Sequence, residues 1–438
     1  MSHGSTGTNK KISVRDVLIL GFAFFATYFG AGNLIFPPLL GLNSGSDFVS
    51  GLAGLTLSGI ILPILALIIV GFRGSVRELT DRVDKYTYNV LQAALVFACV
   101  FVSIPRTCAT AVQLGIQGNI PGAPFVVLTI VYFILNFFFA ADERNVLERM
   151  GKYLTPLLAI ILVIIAIVGV MSPLGAPVAP AVPNPFVNAF LGGYNTGDVL
   201  VSFIMAVVFL GSVQRKGYDT PQQLRRVILY CGIVAIVLLF IIYGGLLFMG
   251  AAVSGQYPQS IGRAELLVAM IKQIDPLVMI PMGVAIVLAC LTTAVGQTAA
   301  VAEFIRTISK GRFPYKVVAL VSSILSGFTA LLGVDGIVTY VGWIFGVSYP
   351  PCLALMVLGV IMPWVPNRGA YRGSVYFVFF YAICEAFPGI SSLALAKAFV
   401  SAIPLSSYGF GWIPMFIAGF IIGGIVYKVM GKSTTAAA

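Results

Sequence analysis

The sequence predicts an all-α protein that crosses a membrane many times. Of its 438 residues, 59% are hydrophobic and only 9% are charged, whereas a soluble domain carries about 25% charged residues. Apolar runs longer than the ~18 residues of a membrane span recur along the chain. A soluble protein is therefore excluded.

Hydrophobicity divides the chain into twelve predicted spans. Residues 173–196 form a predicted loop rich in Pro, Gly and Asn, and residues 253–275 are amphipathic and predicted to lie at the membrane interface. The predicted spans are 14–40 (broken near 29–33), 48–72, 86–110, 122–141, 153–172, 197–214, 226–252, 276–305, 315–333, 337–362, 372–388 and 409–430.

The distribution of basic residues supports this number of spans. With a cytoplasmic N-terminus, 22 of the 26 Lys and Arg residues lie in cytoplasmic segments, as the positive-inside rule requires. If one span had been missed, every later loop would lie on the opposite side of the membrane and this asymmetry would be lost. The net charge of +11 therefore reflects topology rather than nucleic-acid binding. We expect cytoplasmic tails at 1–12 and 431–438 around one transport domain at 13–430, in the plasma or inner membrane.

The first span contains residues that disfavour a continuous helix. Gly30, Gly32 and Asn33 are followed by Pro37 and Pro38; each Gly costs about 1 kcal/mol relative to Ala, and Pro removes a backbone donor. A break in lipid persists only where protein or a water-lined cavity receives the freed backbone groups. The break in the first span therefore predicts one half of a transport site. The alternative is a kinked helix whose glycines allow close packing.

Other classes of membrane protein lack support in the sequence. There is no Gly-x-Ser-x-Gly, His-Glu-x-x-His or membrane aspartate pair, so we predict no enzyme, and there is no Walker motif. No arginine ladder or filter-like Gly-Tyr-Gly segment appears. The only histidine is in the N-terminal tail, and the six cysteines have no metal or disulfide spacing. A secondary carrier without a cofactor remains.

Four motifs occur in order between about residue 13 and the last span. They are Gly30-Ala31-Gly32-Asn33-Leu34-Ile35-Phe36-Pro37-Pro38, Ile104-Pro105-Arg106-Thr107, Gly193-Tyr194-Asn195-Thr196-Gly197-Asp198 and Ala289-Cys290-Leu291-Thr292-Thr293-Ala294-Val295-Gly296. These motifs resemble those of the branched-chain amino acid:cation symporters (BrnQ-type carriers). In the third motif Gly197 stands where the family pattern leads us to expect Met.

This resemblance implies the leucine-transporter fold of the amino acid–polyamine–cation superfamily. That fold has two inverted five-helix repeats, here about 13–172 and 185–362, and two trailing helices at about 372–430. The implied function is sodium-coupled symport of leucine, isoleucine and valine into the cell by alternating access. The expected partners are a branched-chain amino acid, sodium as coupling ion and membrane lipid, with neither nucleic acid nor an obligate protein partner.

The resemblance also implies a sodium site between the first and eighth spans. Its ligands would be the carbonyl oxygens of Ala26, Phe29 and Ala289 and the hydroxyl groups of Thr292 and Thr293. Neutral oxygens suit a hard monovalent cation. The alternative is that both hydroxyl groups bond back to their own helix, as Ser and Thr commonly do.

The implied substrate site uses the break and the sixth span. The substrate carboxylate would meet the amides of Ala31 and Gly32, and its ammonium the Tyr28 carbonyl. In the sixth span Ala206 stands where Gly is expected, and the apolar surroundings favour an aliphatic side chain because no charge is expected at that depth. The implied substrate residues are Tyr28, Gly30, Ala31, Gly32, Asn33, Met205 and Ala206.

Arg106 and Asp198 are candidate gate residues, expected toward the outer side and paired when the site closes. The alternative for Arg106 is a side chain that extends to lipid headgroups. Two other functions stay open. One is proton-coupled or exchange transport of small apolar amino acids on the same fold, with Glu303 or Glu385 as the titrating group. The other is a channel-like or receptor protein.

Overall fold

The computed structural model describes residues 11–73, 75–141 and 155–430, and all regular structure within these ranges is helical. Most of the predicted N-terminal tail and all of the C-terminal tail lie outside the described residues. The helices are α1 Val14–Tyr28, α2 Ala31–Ser44, α3 Phe48–Leu55, α4 Leu62–Arg73, α5 Val76–Asp81, α6 Thr87–Ala98, α7 Ile104–Thr110, α8 Phe125–Ala140, α9 Thr155–Met171, α10 Pro185–Tyr194, α11 Asp198–Arg215, α12 Pro221–Ala252, α13 Arg263–Ile274, α14 Met279–Ile308, α15 Tyr315–Ala330, α16 Gly333–Val341, α17 Trp343–Val360, α18 Arg368–Ala386, α19 Pro388–Ser391, α20 Ala394–Ala402 and α21 Trp412–Val429.

Every predicted span coincides with a helix or with consecutive helices. π-Helical segments at Thr56–Ile61 and Cys99–Ser103 join α3 to α4 and α6 to α7, so each pair forms one long rod. Within the described ranges, six helical segments are long and apolar enough to cross a membrane, or eight if two bent pairs count as single spans; α8 and most of α9 are shorter apolar helices. The chain is therefore a multi-pass membrane protein.

The amphipathic segment before the eighth span forms helix α13, as its pattern predicts. Its apolar residues Leu266, Leu267, Met270 and Ile271 are buried. Because α13 packs on α2, this helix covers part of the broken first span.

The predicted loop 173–196 is wrong in its last part, where helix α10 begins at Pro185. The side chain of Asn184 accepts a hydrogen bond from the Val187 amide at 3.1 Å, and proline is favoured in the first helical turn. Residues 195–197 then separate α10 from α11, and Gly197 has a left-handed φ of +82°, which glycine adopts without steric cost. The sixth span is thus a broken helix, with its break before Asp198.

Glycines allow α2 to pack directly on α12. A Cβ atom at Gly41 would collide with the Leu247 carbonyl oxygen, and one at Gly250 would collide with the Pro38 carbonyl oxygen. Small residues permit such close approach between helices in membranes, where packing rather than water exclusion drives association. The position of α2, and hence of the first break, depends on this contact.

We predict that Gly250→Ala destabilises the protein, because the added methyl group must push two backbones apart at a cost of about 1–3 kcal/mol. Gly244→Ala on the same helix is the control, since its Cβ atom would meet only Leu52 side-chain atoms at 3.7 Å or more. Thermal unfolding of both detergent-purified variants tests this. Equal melting temperatures would contradict the proposed packing role of Gly250.

Candidate substrate and ion site

The first predicted break is confirmed at Phe29 and Gly30. Both have extended backbone conformations, and the flanking helices α1 and α2 have 15 and 14 residues, so the break lies about halfway along the span. The N-cap residue of α2 is Gly30, which has no side chain that could cap the helix. The first amides of a helix have no intrahelical acceptor and favour an anion, so this end of α2 can bind a carboxylate.

The second break lies directly against the first. A Cβ atom at Gly32 would be 3.1 Å from the Cα of Thr196 and 2.8 Å from Nη2 of Arg106. Thr196 belongs to the break between α10 and α11. Glycine at position 32 therefore allows the two breaks to meet.

Arg106 of α7 bonds to the second break. Its Nη1 donates to the Asn195 carbonyl, and its Nη2 donates to the Thr196 carbonyl at 2.7 Å. The guanidinium carbon also lies 5.6 and 5.4 Å from the ring centroids of Phe36 and Phe345, close enough for cation–π attraction.

The Arg106 side chain is 3% exposed, so its proposed extension to lipid headgroups is wrong. The expected pairing with Asp198 is also not formed. In the described chain the guanidinium bonds instead to the two carbonyl groups that immediately precede Asp198.

Asp198 lies inside the bundle rather than toward its outer end. The residue is 2% exposed, and its Oδ2 accepts a hydrogen bond of 2.7 Å from Asn33 Nδ2, which also donates to the Tyr243 hydroxyl. The expectation that no charged group lies at the depth of the site is therefore wrong. It failed because α10 occupies the first part of the sixth span and brings Asp198 to the middle.

A hydrogen-bond network joins the end of α1 to the first turn of α11. The Tyr28 hydroxyl lies 3.0 Å from Ser202 Oγ and donates to the Pro63 carbonyl at 3.2 Å. Ser202 Oγ lies 2.8 Å from the Asp198 carbonyl, which can accept its proton. The two broken spans are thus connected at their breaks and also through α4.

The structure brings some of the expected sodium ligands together. Thr293 Oγ1 of α14 lies 3.3 Å from the Phe29 carbonyl oxygen, at the break itself. Thr292 Oγ1 donates to the Ala289 carbonyl at 2.9 Å. This is the bond back to its own helix that was the alternative to sodium binding. Ala26 lies one turn before Phe29 on α1 and is partly exposed.

A pocket of about 260 Å³ of unoccupied space, its mouth included, opens where the breaks meet. The predicted residues Met205 and Ala206 do not line it, whereas Asp198 and Val201 of the same helix do. The lining residues are Tyr28, Gly30, Ala31, Gly32, Asn33, Ser103, Arg106, Thr107, Thr196, Asp198, Val201, Thr293 and Gln297.

The alternative coupling residues lie away from this pocket. Glu303 forms an ion pair of 2.6 Å with Arg306 near the end of α14. Glu385 accepts a hydrogen bond of 2.8 Å from the Tyr381 hydroxyl on α18. Sequence reasoning missed five of the pocket residues: Ser103, Thr107, Thr196, Val201 and Gln297. For Gln297 the available signal was its position one helical turn beyond Thr293.

Two broken helices that meet at a polar pocket inside a helical membrane protein define a secondary carrier. The chain belongs to the branched-chain amino acid transport protein family, whose model matches residues 13–430. The branched-chain amino acid permease BraB of Bacillus subtilis is 28% identical over 435 residues, which cover 96% of this chain and 98% of that protein. The chain is therefore an amino acid transporter and not an enzyme.

Solved structures establish the fold. A substrate-bound, outward-open Na⁺-coupled sialic acid symporter matches with a TM-score of 0.60 at 15% identity, covering 93% of this chain and 90% of that chain. MhsT in complex with L-phenylalanine matches with a TM-score of 0.58 at 17% identity, covering 92% of this chain and 98% of that chain. The leucine-transporter fold predicted from the sequence is confirmed.

We predict that Arg106→Lys loosens the second break, because an ammonium group cannot bond to two carbonyls as the guanidinium fork does. Loss of one hydrogen bond from a charged group costs about 1.5–3 kcal/mol. Hydrogen exchange of peptides covering 195–198 should therefore accelerate by about tenfold or more.

Arg73→Lys is the control, because Arg73 also donates two bonds to a carbonyl, that of Gly359. It should leave exchange at 195–198 unchanged. If Arg106→Lys also leaves it unchanged, Arg106 does not stabilise the break.

Proposed function

We propose that this protein is a sodium-coupled symporter that carries leucine, isoleucine and valine into the cell by alternating access. The described relative in Bacillus subtilis is named a branched-chain amino acid permease, and a structural neighbour is Na⁺-coupled. In the proposed arrangement the repeats span about 13–172 and 185–362, helices within about 372–430 follow them, and both termini are cytoplasmic, in the cell membrane.

The observation that carries the proposal is the uncapped amino end of α2 in one pocket with a buried carboxylate. The amides of Ala31 and Gly32 suit the substrate carboxylate, and a Cβ at Gly32 would obstruct that approach. The Asp198 carboxylate and the Tyr28 carbonyl suit the ammonium group. An amino acid backbone carries both charges a few ångströms apart, and a pocket with a donor end and an acidic group matches it.

Sodium would bind at the carbonyl groups of Ala26, Phe29 and Ala289 with the hydroxyl groups of Thr292 and Thr293. The 3.3 Å separation between Thr293 Oγ1 and the Phe29 carbonyl oxygen supports this assignment, because one cation can bridge two such oxygens. The ion would then couple α14 to the break beside the substrate.

Arg106 and Asp198 would close the site from one side. The contacts of Arg106 with the Asn195 and Thr196 carbonyls hold the second break over α2, beside the substrate. In this proposal opening requires those bonds to break, so Arg106 controls access rather than recognising the side chain of the substrate.

The burial of Asp198 favours one further candidate, proton coupling through this carboxylate. Asp198 faces the pocket, whereas Glu303 and Glu385 do not. In this case Asp198 rather than either glutamate would take up and release the proton. Leucine uptake would then follow the pH gradient. Asp198→Asn would abolish uptake driven by that gradient but leave leucine counterflow intact.

We predict that Thr293→Ala raises the sodium concentration needed for half-maximal leucine uptake. Loss of one good ligand costs about 1–3 kcal/mol, which corresponds to a roughly 5- to 150-fold rise in that sodium concentration. Thr293→Ser keeps the oxygen and should have a small effect. The measurement is uptake of labelled leucine into proteoliposomes at varied external sodium, with the proton gradient controlled.

Thr307→Ala is the control on the same helix, since its hydroxyl bonds to Glu303 at 3.4 Å, away from the pocket. It should leave the sodium dependence unchanged. Wild-type uptake that ignores sodium and follows pH would refute sodium coupling and favour Asp198 as the coupling group.

A further inference from the structure

The chain from Gly409 to Trp412, which leads into the last helix α21, crosses helix α10. A Cβ atom at Gly409 would lie 2.7 Å from Leu191 Cδ1. The rings of Phe410 and Phe190 meet edge to face, with their centroids 4.9 Å apart. Neighbouring residues of this segment therefore pack on neighbouring residues of α10, and the contact restrains both the rotation and the axial position of that helix.

A hydrogen bond extends this contact to the last residue of α10. Trp412 is 9% exposed, and its Nε1 donates to the Tyr194 hydroxyl at 3.2 Å. The Tyr194 ring also stacks on the Tyr349 ring, with centroids 4.2 Å apart. The Tyr349 hydroxyl in turn donates to the Ser58 carbonyl at 3.3 Å. The end of α10 is therefore attached to α21 and to α17.

Tyr194 immediately precedes the second break. Its carbonyl accepts a hydrogen bond of 3.1 Å from the Gly197 amide. This bond spans Asn195 and Thr196, the two residues whose carbonyl groups accept from Arg106. A displacement of Tyr194 would therefore move the acceptors on which the buried guanidinium group depends.

The last helix is itself fixed by close packing on α18. A Cβ atom at Gly419 would collide with the Gly373 carbonyl oxygen, and one at Gly423 would collide with the Gly369 carbonyl oxygen. Such contacts between small residues let two helix backbones approach closely in a membrane. The pair of α18 and α21 thus offers a firm support for the end of α10.

We propose that Trp412 is a positioning residue for the second break. Through the Tyr194 hydroxyl, the last helix holds α10 where Arg106 can bond to both carbonyl groups. This inference rests on the proposed function, in which those bonds close the substrate site. The last helix then takes part in the control of access, although none of the described residues that line the pocket belongs to it.

Trp412→Phe tests the proposal because it removes the N–H donor and keeps an aromatic ring. A hydrogen bond between neutral groups changes an equilibrium constant by about two- to tenfold. We expect hydrogen exchange of peptides covering 195–198 to accelerate by this factor in the detergent-purified full chain. The leucine concentration for half-maximal counterflow in proteoliposomes should rise by a similar factor, because the closed arrangement is less populated.

Tyr194→Phe removes the other partner of the same hydrogen bond. It should accelerate exchange at 195–198 to a similar extent, and the double variant with Trp412→Phe should add little, because both changes remove one bond. Tyr376→Phe is the control, since its hydroxyl bonds α18 to Asp84 before α6 rather than to α10. It should change neither the exchange at 195–198 nor the leucine concentration.

Unchanged exchange at 195–198 in Trp412→Phe, or fully additive effects in the double variant, would overturn the positioning role. Equal acceleration in all helices would also overturn it, because it indicates a general loss of stability. Faster exchange with an unchanged leucine concentration would overturn the link to substrate access. Wild-type liposomes without any leucine counterflow would contradict the proposed function itself, whereas the exchange experiment does not depend on transport.

Discussion

Backbone groups at a helix break are the constraint on which the rest of this structure depends. Lipid offers them no partner, and each unsatisfied group costs several kcal/mol. The chain places its two breaks against each other inside the protein, where Gly32 permits contact with Thr196. Arg106 supplies donors for two carbonyl groups of the second break. The amides left over at the start of α2 are the ones that suit a substrate carboxylate.

The charges inside the bundle follow from the same constraint. A buried guanidinium group needs acceptors, and Arg106 obtains them from backbone carbonyls and from the faces of Phe36 and Phe345. Removing one partner of a buried charge is strongly destabilising, because it leaves the charge without compensation. The Phe36 ring also lies 5.6 Å from the guanidinium carbon of Arg263. Arg263 forms an ion pair with Asp335, which links the site to α13 and α16.

Local patterns predicted the spans and the first break, because length, hydrophobicity and the Gly–Pro sequence act within one segment. The second break was missed because α10 has a loop-like composition, although Asn184 and Pro185 start a helix. Missing α10 left Asp198 too far out along the predicted sixth span. Gln297 shares a helix face with Thr293 by its spacing, but its position in the pocket also depends on how α14 packs against the third span, which spacing does not specify.

An experimental structure with leucine and sodium bound would test the proposed substrate site most directly. We expect the leucine carboxylate at the amides of Ala31 and Gly32 and its ammonium within hydrogen-bond distance of Asp198 or the Tyr28 carbonyl. Leucine bound between other helices, with the amino end of α2 free of substrate, would contradict it.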